Sequence, residues 1–245
     1  MFIAAHKPYT FPDDGVYQPI QVGKALADTD LGFPGDDTGE NISALNPTYN
    51  ELTAVYWAWK NAQTDAYGLN HYRRYFVGAS GPATGAELYS WLEGAEVVVA
   101  KKRHYVVETV AGQYSHAHHA SDLEAVRQAL ADVAPADLGA FDQVMAGRSL
   151  SLYNMFWMRA ELFGEYAEWL FGILQAAEPS IPWRSYGPQQ RRVMGYLGER
   201  LLNVWLQANP ALRVRRQRVF QTEAEPLVRK GVKMLGRKLG FGKVR

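Results

Sequence analysis

The stretch AYGLNHYRRYF, residues 66–76, runs from a short apolar segment straight into one histidine, two arginines and three tyrosines. The apolar part reads as a buried strand, and a core has no use for the polar cluster at its end, so the cluster faces an anionic or heavily hydroxylated ligand. Outward from it, strand-like and helix-like segments alternate. FIAA (2–5) is an earlier strand and EVVVA (96–100) a later one. NPTYNELTAVYWAWKNA (46–62) predicts one helix capped by Asn46, with Pro47 at its first position and Leu52, Val55, Tyr56 and Trp59 along one face. TGAELYSWLEG (84–94) and SDLEAVRQALADV (121–133) predict helices opened by capping boxes, Thr84 with Glu87 and Ser121 with Glu124. SLYNMFWM (151–158) reads as a strand, and Ala160–Glu178 and Pro188–Asn209 as long helices. Strands separated by helices of this length predict a single α/β, Rossmann-like domain with a mostly parallel central sheet flanked by helices. That domain is expected over residues 1–210, with a basic segment over 211–245.

Composition bounds the function. Hydrophobic residues make up 47% of the 245 and aromatics 13%, which is a globular chain. A formal net charge of +1 argues against a uniformly basic nucleic-acid binder, and RVRRQRVF (213–220) alone is a weak basis for one, so no nucleic-acid partner is expected. The absence of cysteine removes disulfides, thiolate metal sites and cysteine nucleophiles together. The opening MFIAAHKPYTF has too short an apolar run for a signal peptide, and no later run reaches the ~18 residues of a membrane span. The expected location is the cytoplasm, with the inner face of the cell membrane open to it.

In α/β sheets ligands bind outside the carboxyl ends of strands. FIAA is followed by His6 and Lys7, and AYGL by Asn70, His71, Tyr72, Arg73 and Arg74, so both clusters are expected on one edge of one sheet. Between them GFPGDDTGENISALN (32–46) is a Gly- and Asp-rich loop able to close over a ligand. Arginine holds phosphate oxygens through two parallel bonds and lysine adds a point charge, so the constellation predicts a pocket for a phosphorylated ligand.

FIAAHKPY, YQPIQVG, GENISALNPTYNELTAVYWAWKN, GLNHYRRYF, NMFWM, YAEWLFGIL and GERLLNVW resemble, in that order, the blocks of a bacterial domain family of capsular and exopolysaccharide gene clusters. That family was long described only as a domain of unknown function and is associated with a compact GT-A glycosyltransferase fold. The resemblance covers roughly residues 2 to 207. It implies transfer of a hexose, such as galactose or glucose, from a UDP-sugar to a growing surface glycan, free or lipid-linked. Carried onto this sequence, it implies a nucleotide-sugar site built from Ala5, His6, Lys7, Asn41, Asn46, Asn70, His71, Tyr72, Arg73, Arg74 and Asn154.

A typical GT-A enzyme ends the strand equivalent to AYGL with an Asp-x-Asp motif that binds a divalent metal; here His71-Tyr72-Arg73 stands in that place. Cationic side chains replacing the metal are the favoured expectation, with no cofactor, while Mn or Mg stays open through Asp36-Asp37, a pair equally readable as an acidic turn. Inverting enzymes of this fold carry a carboxylate near the start of a late helix as base, which points to Glu199 of GERLLNVW, although its helical phase also fits a solvated glutamate; Asp122 is the second candidate. His116 and His118 of SHAHH lack the further ligands and the spacing of a zinc site, and with Arg200 they are expected at the acceptor. Met155 to Met158 read as core.

Two alternatives stay beside the enzyme reading. A non-catalytic nucleotide- or glycan-binding module would use the seven Trp and fourteen Tyr as stacking platforms in the same way. The segment from Leu212 onward carries eleven Arg and Lys (213, 215, 216, 218, 229, 230, 233, 237, 238, 243 and 245) against Glu223 and Glu225, with Val228, Val232, Leu235 and Leu239 at helical spacing. That pattern predicts either a helix lying on an anionic membrane or a docked helix with a solvated face.

Overall fold

The structure, a computed structural model, describes residues 1–222. Strand β1 (Phe2–Ala5) lies parallel to β2 (Gln18–Gln21) and enters a long loop that ends at helices α1 (Asn46–Tyr49) and α2 (Leu52–Asn61). Then come β3 (Ala66–His71), the short hairpin strand β4 (Arg74–Phe76), α3 (Gly85–Gly94) and β5 (Val97–Ala100). The chain continues through β6 (Arg103–His104), α4 (Val110–Ala117), α5 (Ala120–Val133), α6 (Leu138–Ala146) and β7 (Ser149–Leu150). It closes with β8 (Phe156–Arg159), α7 (Ala160–Ala177), α8 (Val193–Ala208), β9 (Val214–Gln217) and β10 (Val219–Gln221).

The period-2 alternation of strands divides the core into two layers. Ala4, Tyr67, Leu69, Val97, Val99, Phe156 and Met158 face one way, under α2 and α5 to α8. Ile3, Ala5, Ala66, Val98 and Trp157 face the other, against Leu88, Trp91 and Leu92 of α3. The indole of Trp157 donates to the Leu88 carbonyl at 2.9 Å. Gly68 is required between the layers, because a Cβ there would stand 2.6 Å from the Phe156 carbonyl oxygen.

The α/β architecture with a helix-flanked central sheet is the expected one, but the eight-stranded sheet is mixed and not mostly parallel. β1 pairs in parallel with β2 and β3, and β5 with β9, whereas β8 runs antiparallel between β3 and β5. The cause is where the chain enters β8. β7 pairs with β6, which follows directly on the carboxyl end of β5, so the chain arrives at the carboxyl edge and can only run back.

Local expectations fared unevenly. The Thr84/Glu87 capping box is present. α5 instead starts at Ala120 behind His119, which places Ser121 inside the helix and removes it as a cap. The helix expected over 46–62 is broken at Asn50 (φ 52°, ψ −128°), and Asn46, placed as its cap, bridges the break by donating to the Asn50 carbonyl and the Thr53 hydroxyl. The strand expected over 151–158 begins only at Phe156, because Tyr153 (φ 77°) and Asn154 (φ 52°) form a left-handed turn. Past residue 210, β9 and β10 are strands of the central sheet, paired with β5 and β4. The amphipathic pattern from Val228 to Leu239 lies outside the described residues.

Candidate active site

β1, β3, β5 and β9 point the same way, so their carboxyl ends share one edge. Tyr72, buried just past β3, gathers the first group of polar residues around its ring. His6 meets the ring edge-on at 5.2 Å, the Lys7 ammonium lies 5.2 Å from its centroid and the Arg73 guanidinium 5.1 Å. Cations over an aromatic face are attracted by its quadrupole, which lets Lys7 and Arg73 share a small space. Burial, then Arg73 and Lys7, depress the proton affinity of His6, so the imidazole is neutral beside two fixed cations.

The second group is built on the left-handed turn at Tyr153-Asn154. The Tyr153 carbonyl accepts from His71 Nε2 at 2.7 Å, its N–H donates to Glu199 Oε1 at 2.6 Å, and its ring carries the Arg74 guanidinium at 4.5 Å. The Asn154 amide donates to Glu51 Oε1 at 2.7 Å and to the Gly195 carbonyl at 3.0 Å. His71 Nε2 lies 3.9 Å from the same Glu51 oxygen. Burial holds His71 in its neutral form, and its bond to a carbonyl fixes the Nε2–H tautomer. Two glycines of α8 make the approach possible: a Cβ on Gly195 would stand 2.6 Å from the Asn50 amide nitrogen, and one on Gly198 2.6 Å from Leu52. The break at Asn50 thus lies flat on α8 and brings Glu51 beside Glu199.

Glu199 keeps about a fifth of its side chain exposed (21%). Burial raises its proton affinity and Glu51 adds to the rise, while Arg200 and the Tyr153 N–H oppose it. Arg200 lies behind it, 3% exposed, bonded to the Tyr196 carbonyl at 2.7 Å and the Gln113 amide oxygen at 2.9 Å and stacked on Tyr114 at 4.6 Å. The arrangement can hold an anion at the Tyr72 cations and can offer a poised carboxylate a short distance along the same edge.

Several expected site residues stand elsewhere. Ala5 is fully buried, and its carbonyl accepts from the Val22 N–H. Asn41 is occupied within its own loop, donating to the Asp37 and Gly39 carbonyls and accepting from the Ser43 N–H. Asn70 is fully buried, and its amide has no hydrogen-bond partner among the described residues. Asp122 is 2% exposed and accepts from the hydroxyls of Tyr114 (3.2 Å) and Tyr186 (2.8 Å), so it faces the helix layer and not the edge. His116 is exposed on α4 beside Glu108, away from His118, which stacks on Tyr196 at 4.1 Å. The helix separates two histidines that a strand would have paired. Arg200, expected at the acceptor, is instead sealed behind Glu199. Asp36 is satisfied by the N–H groups of Gly23 and Lys24 and the Ser43 hydroxyl, and it anchors the loop. Glu51 and Tyr153 escaped the sequence reading. Glu51 looks like a helix-surface residue until the Asn50 break is known, and Asn50 inside an unbroken pattern was the one available signal.

The helix-flanked mixed sheet is similar to that of a solved glycosyltransferase. Among solved structures the chain is similar to the apo structure of WbbM, a bifunctional glycosyltransferase, with 29% identity, a TM-score of 0.84 and 92% of this chain covered. The likeness covers 47% of that chain, so the protein spans about half its length. No curated protein matches. Residues 1–210 match the family described as Domain of unknown function (DUF4422), and the chain belongs to that family.

Proposed function

We propose that the protein is a hexosyltransferase that moves a sugar from a UDP-sugar to a growing surface polysaccharide. The observation that carries this reading is the pairing, on one sheet edge, of the cations around Tyr72 with the Glu199 side chain, which is partly exposed. His6, Lys7 and Arg73 hold the donor diphosphate. Glu199 takes the proton of the acceptor hydroxyl as its oxygen bonds to the anomeric carbon, and the bond from that carbon to the diphosphate breaks with its electron pair, releasing UDP. The cations stabilise the charge that develops on the leaving group, the part a metal plays in typical enzymes of this fold. Tyr153 orients the base through its backbone, and Asn154 holds Glu51 in place.

Thermal-shift screening of nucleotide sugars identifies the donor, and incubation with that donor alone tests catalysis. Slow release of free sugar and UDP is expected, undiminished by EDTA. Complete loss in EDTA with recovery on adding manganese overturns the metal-free mechanism. Binding without turnover, acceptors included, replaces the enzyme with a nucleotide- or glycan-binding module.

A further inference from the structure

Two strands along the same edge, the connections leaving β5 and β9 run side by side, held by the bond from the Lys101 N–H to the Gln217 carbonyl at 2.7 Å. Between them lies a groove of about 470 Å³ lined by Lys101, Lys102, His104, Arg216, Gln217 and Arg218. Its lining holds four lysine and arginine side chains and no carboxylate. Its wall is fixed to the hairpin: Val77 donates to the Arg218 carbonyl at 2.9 Å, and the Gln217 amide donates to the Val77 carbonyl. Lys102 is half-buried, and burial followed by Arg216 lowers its proton affinity. Like charges brought together in a concavity repel one another, and an anion seated among them relieves that repulsion. Tyr105 follows His104 of the groove lining in the chain, and its hydroxyl feels both Arg200 and Glu199.

We infer that this groove binds the phosphate-bearing end of the acceptor, a glycan carried on a diphosphate, and points its terminal sugar along Tyr105 toward Glu199. The inference rests on the transferase reading and adds the acceptor class to it. The guanidinium of Arg216 suits two phosphate oxygens at once, while Lys101 and Lys102 act as point charges. The donor diphosphate has its own cations around Tyr72, so one edge carries two anion sites, one for each substrate.

Calorimetric titration with inorganic pyrophosphate tests this on the full chain. Wild type is expected to bind, Lys102→Gln/Arg216→Gln to bind at least about tenfold more weakly, and His6→Ala/Arg73→Gln to keep the groove's share of binding. Lys101→Gln/Arg218→Gln, on exposed residues, should weaken binding in the same direction and guards against a misfolded first variant. Phosphatidylcholine vesicles doped with a polyprenyl diphosphate separate the sources. Capture by wild type but not by the groove variants assigns a lipid carrier, and binding of soluble pyrophosphate alone assigns a phosphate on the glycan. Unchanged pyrophosphate affinity in both groove variants overturns the proposal, as does tighter groove-dependent binding of polyuridylate than of pyrophosphate. Groove-dependent binding in a protein that releases no sugar from any nucleotide sugar leaves an anion site and removes the transferase reading instead.

Discussion

Burial raises the proton affinity of Glu199, while the Tyr153 N–H and Arg200 pull it down, and the net is upward from the ordinary 4.5. A base whose proton affinity moves toward working pH is better matched to proton transfer. The same shift has a stability consequence of definite sign. Above pH 4.5 the unfolded glutamate ionises while the folded one keeps its proton, so stability falls as pH rises from there through the folded value. Glu199→Gln keeps an oxygen for the Tyr153 N–H, so thermal melts at neutral pH should show a variant at least as stable as wild type. Transfer should drop by about 10²–10⁴-fold with UDP affinity unchanged. The acidic limb of kcat/KM should have its midpoint above 4.5. Wild-type turnover in that variant would end the assignment. His71 runs the other way: buried neutral, it stays unprotonated where the unfolded imidazole charges, so stability is lost as pH falls below 6.5. Denaturation midpoints of His71→Gln measured on both sides of 6.5 should show a shallower acid loss than wild type.

At the scale of elements, the turn at Tyr153-Asn154 joins β7 to β8 and bonds both Glu199 and Glu51. A left-handed residue other than glycine costs about 1–2 kcal/mol, which asparagine tolerates best. Asn154→Gly should therefore keep the backbone and the melting temperature within a few degrees while freeing Glu51, whereas Asn154→Val should destabilise by about 2 kcal/mol or more. Comparison of the two separates the turn from the amide. Gly68→Ala, aimed at the Phe156 carbonyl, should cost about 1–3 kcal/mol in chemical denaturation without altering the site's chemistry. The buried strands β1, β3 and β5 were legible because an apolar run bounded by polar residues has few other uses. Neither the break at Asn50 nor the turn at Tyr153 was, since a lone asparagine is the whole local signal at each. The glycines of α8 set the first, and the entry of the chain at the carboxyl edge sets the second; both causes lie far off in sequence. The cations at the ends of β1 and β3 were readable for the same reason as the strands, while Glu51 depended on the unseen break.

For the whole molecule, β9 and β10 change what a truncation means. Removing everything after Asn209 deletes two sheet strands and should give an insoluble or melted product. Removal after Thr222, whose N–H bonds the Arg73 carbonyl at 3.1 Å, should preserve the melting temperature and donor hydrolysis. Among the described residues no helix is long and apolar enough to cross a membrane. Each basic residue near an anionic bilayer contributes about 1 kcal/mol, so the full chain should co-sediment with anionic liposomes at low salt and the chain truncated after Thr222 should not. Retained sedimentation would overturn the membrane role of the basic segment.

β5 finds its parallel neighbour β9 only after the chain has travelled from Ala100 to Val214. On the ribosome, every helix among the described residues emerges before that partner does, and until then β5 presents an open edge to whatever else is nearby. Contacts this distant in sequence form late, which makes the last strands to be translated the step that completes both the sheet and the basic groove. Nascent chains stalled before Arg213 should bind holdase chaperones and resist refolding, and release of binding should coincide with the emergence of residues 214–221 from the exit tunnel.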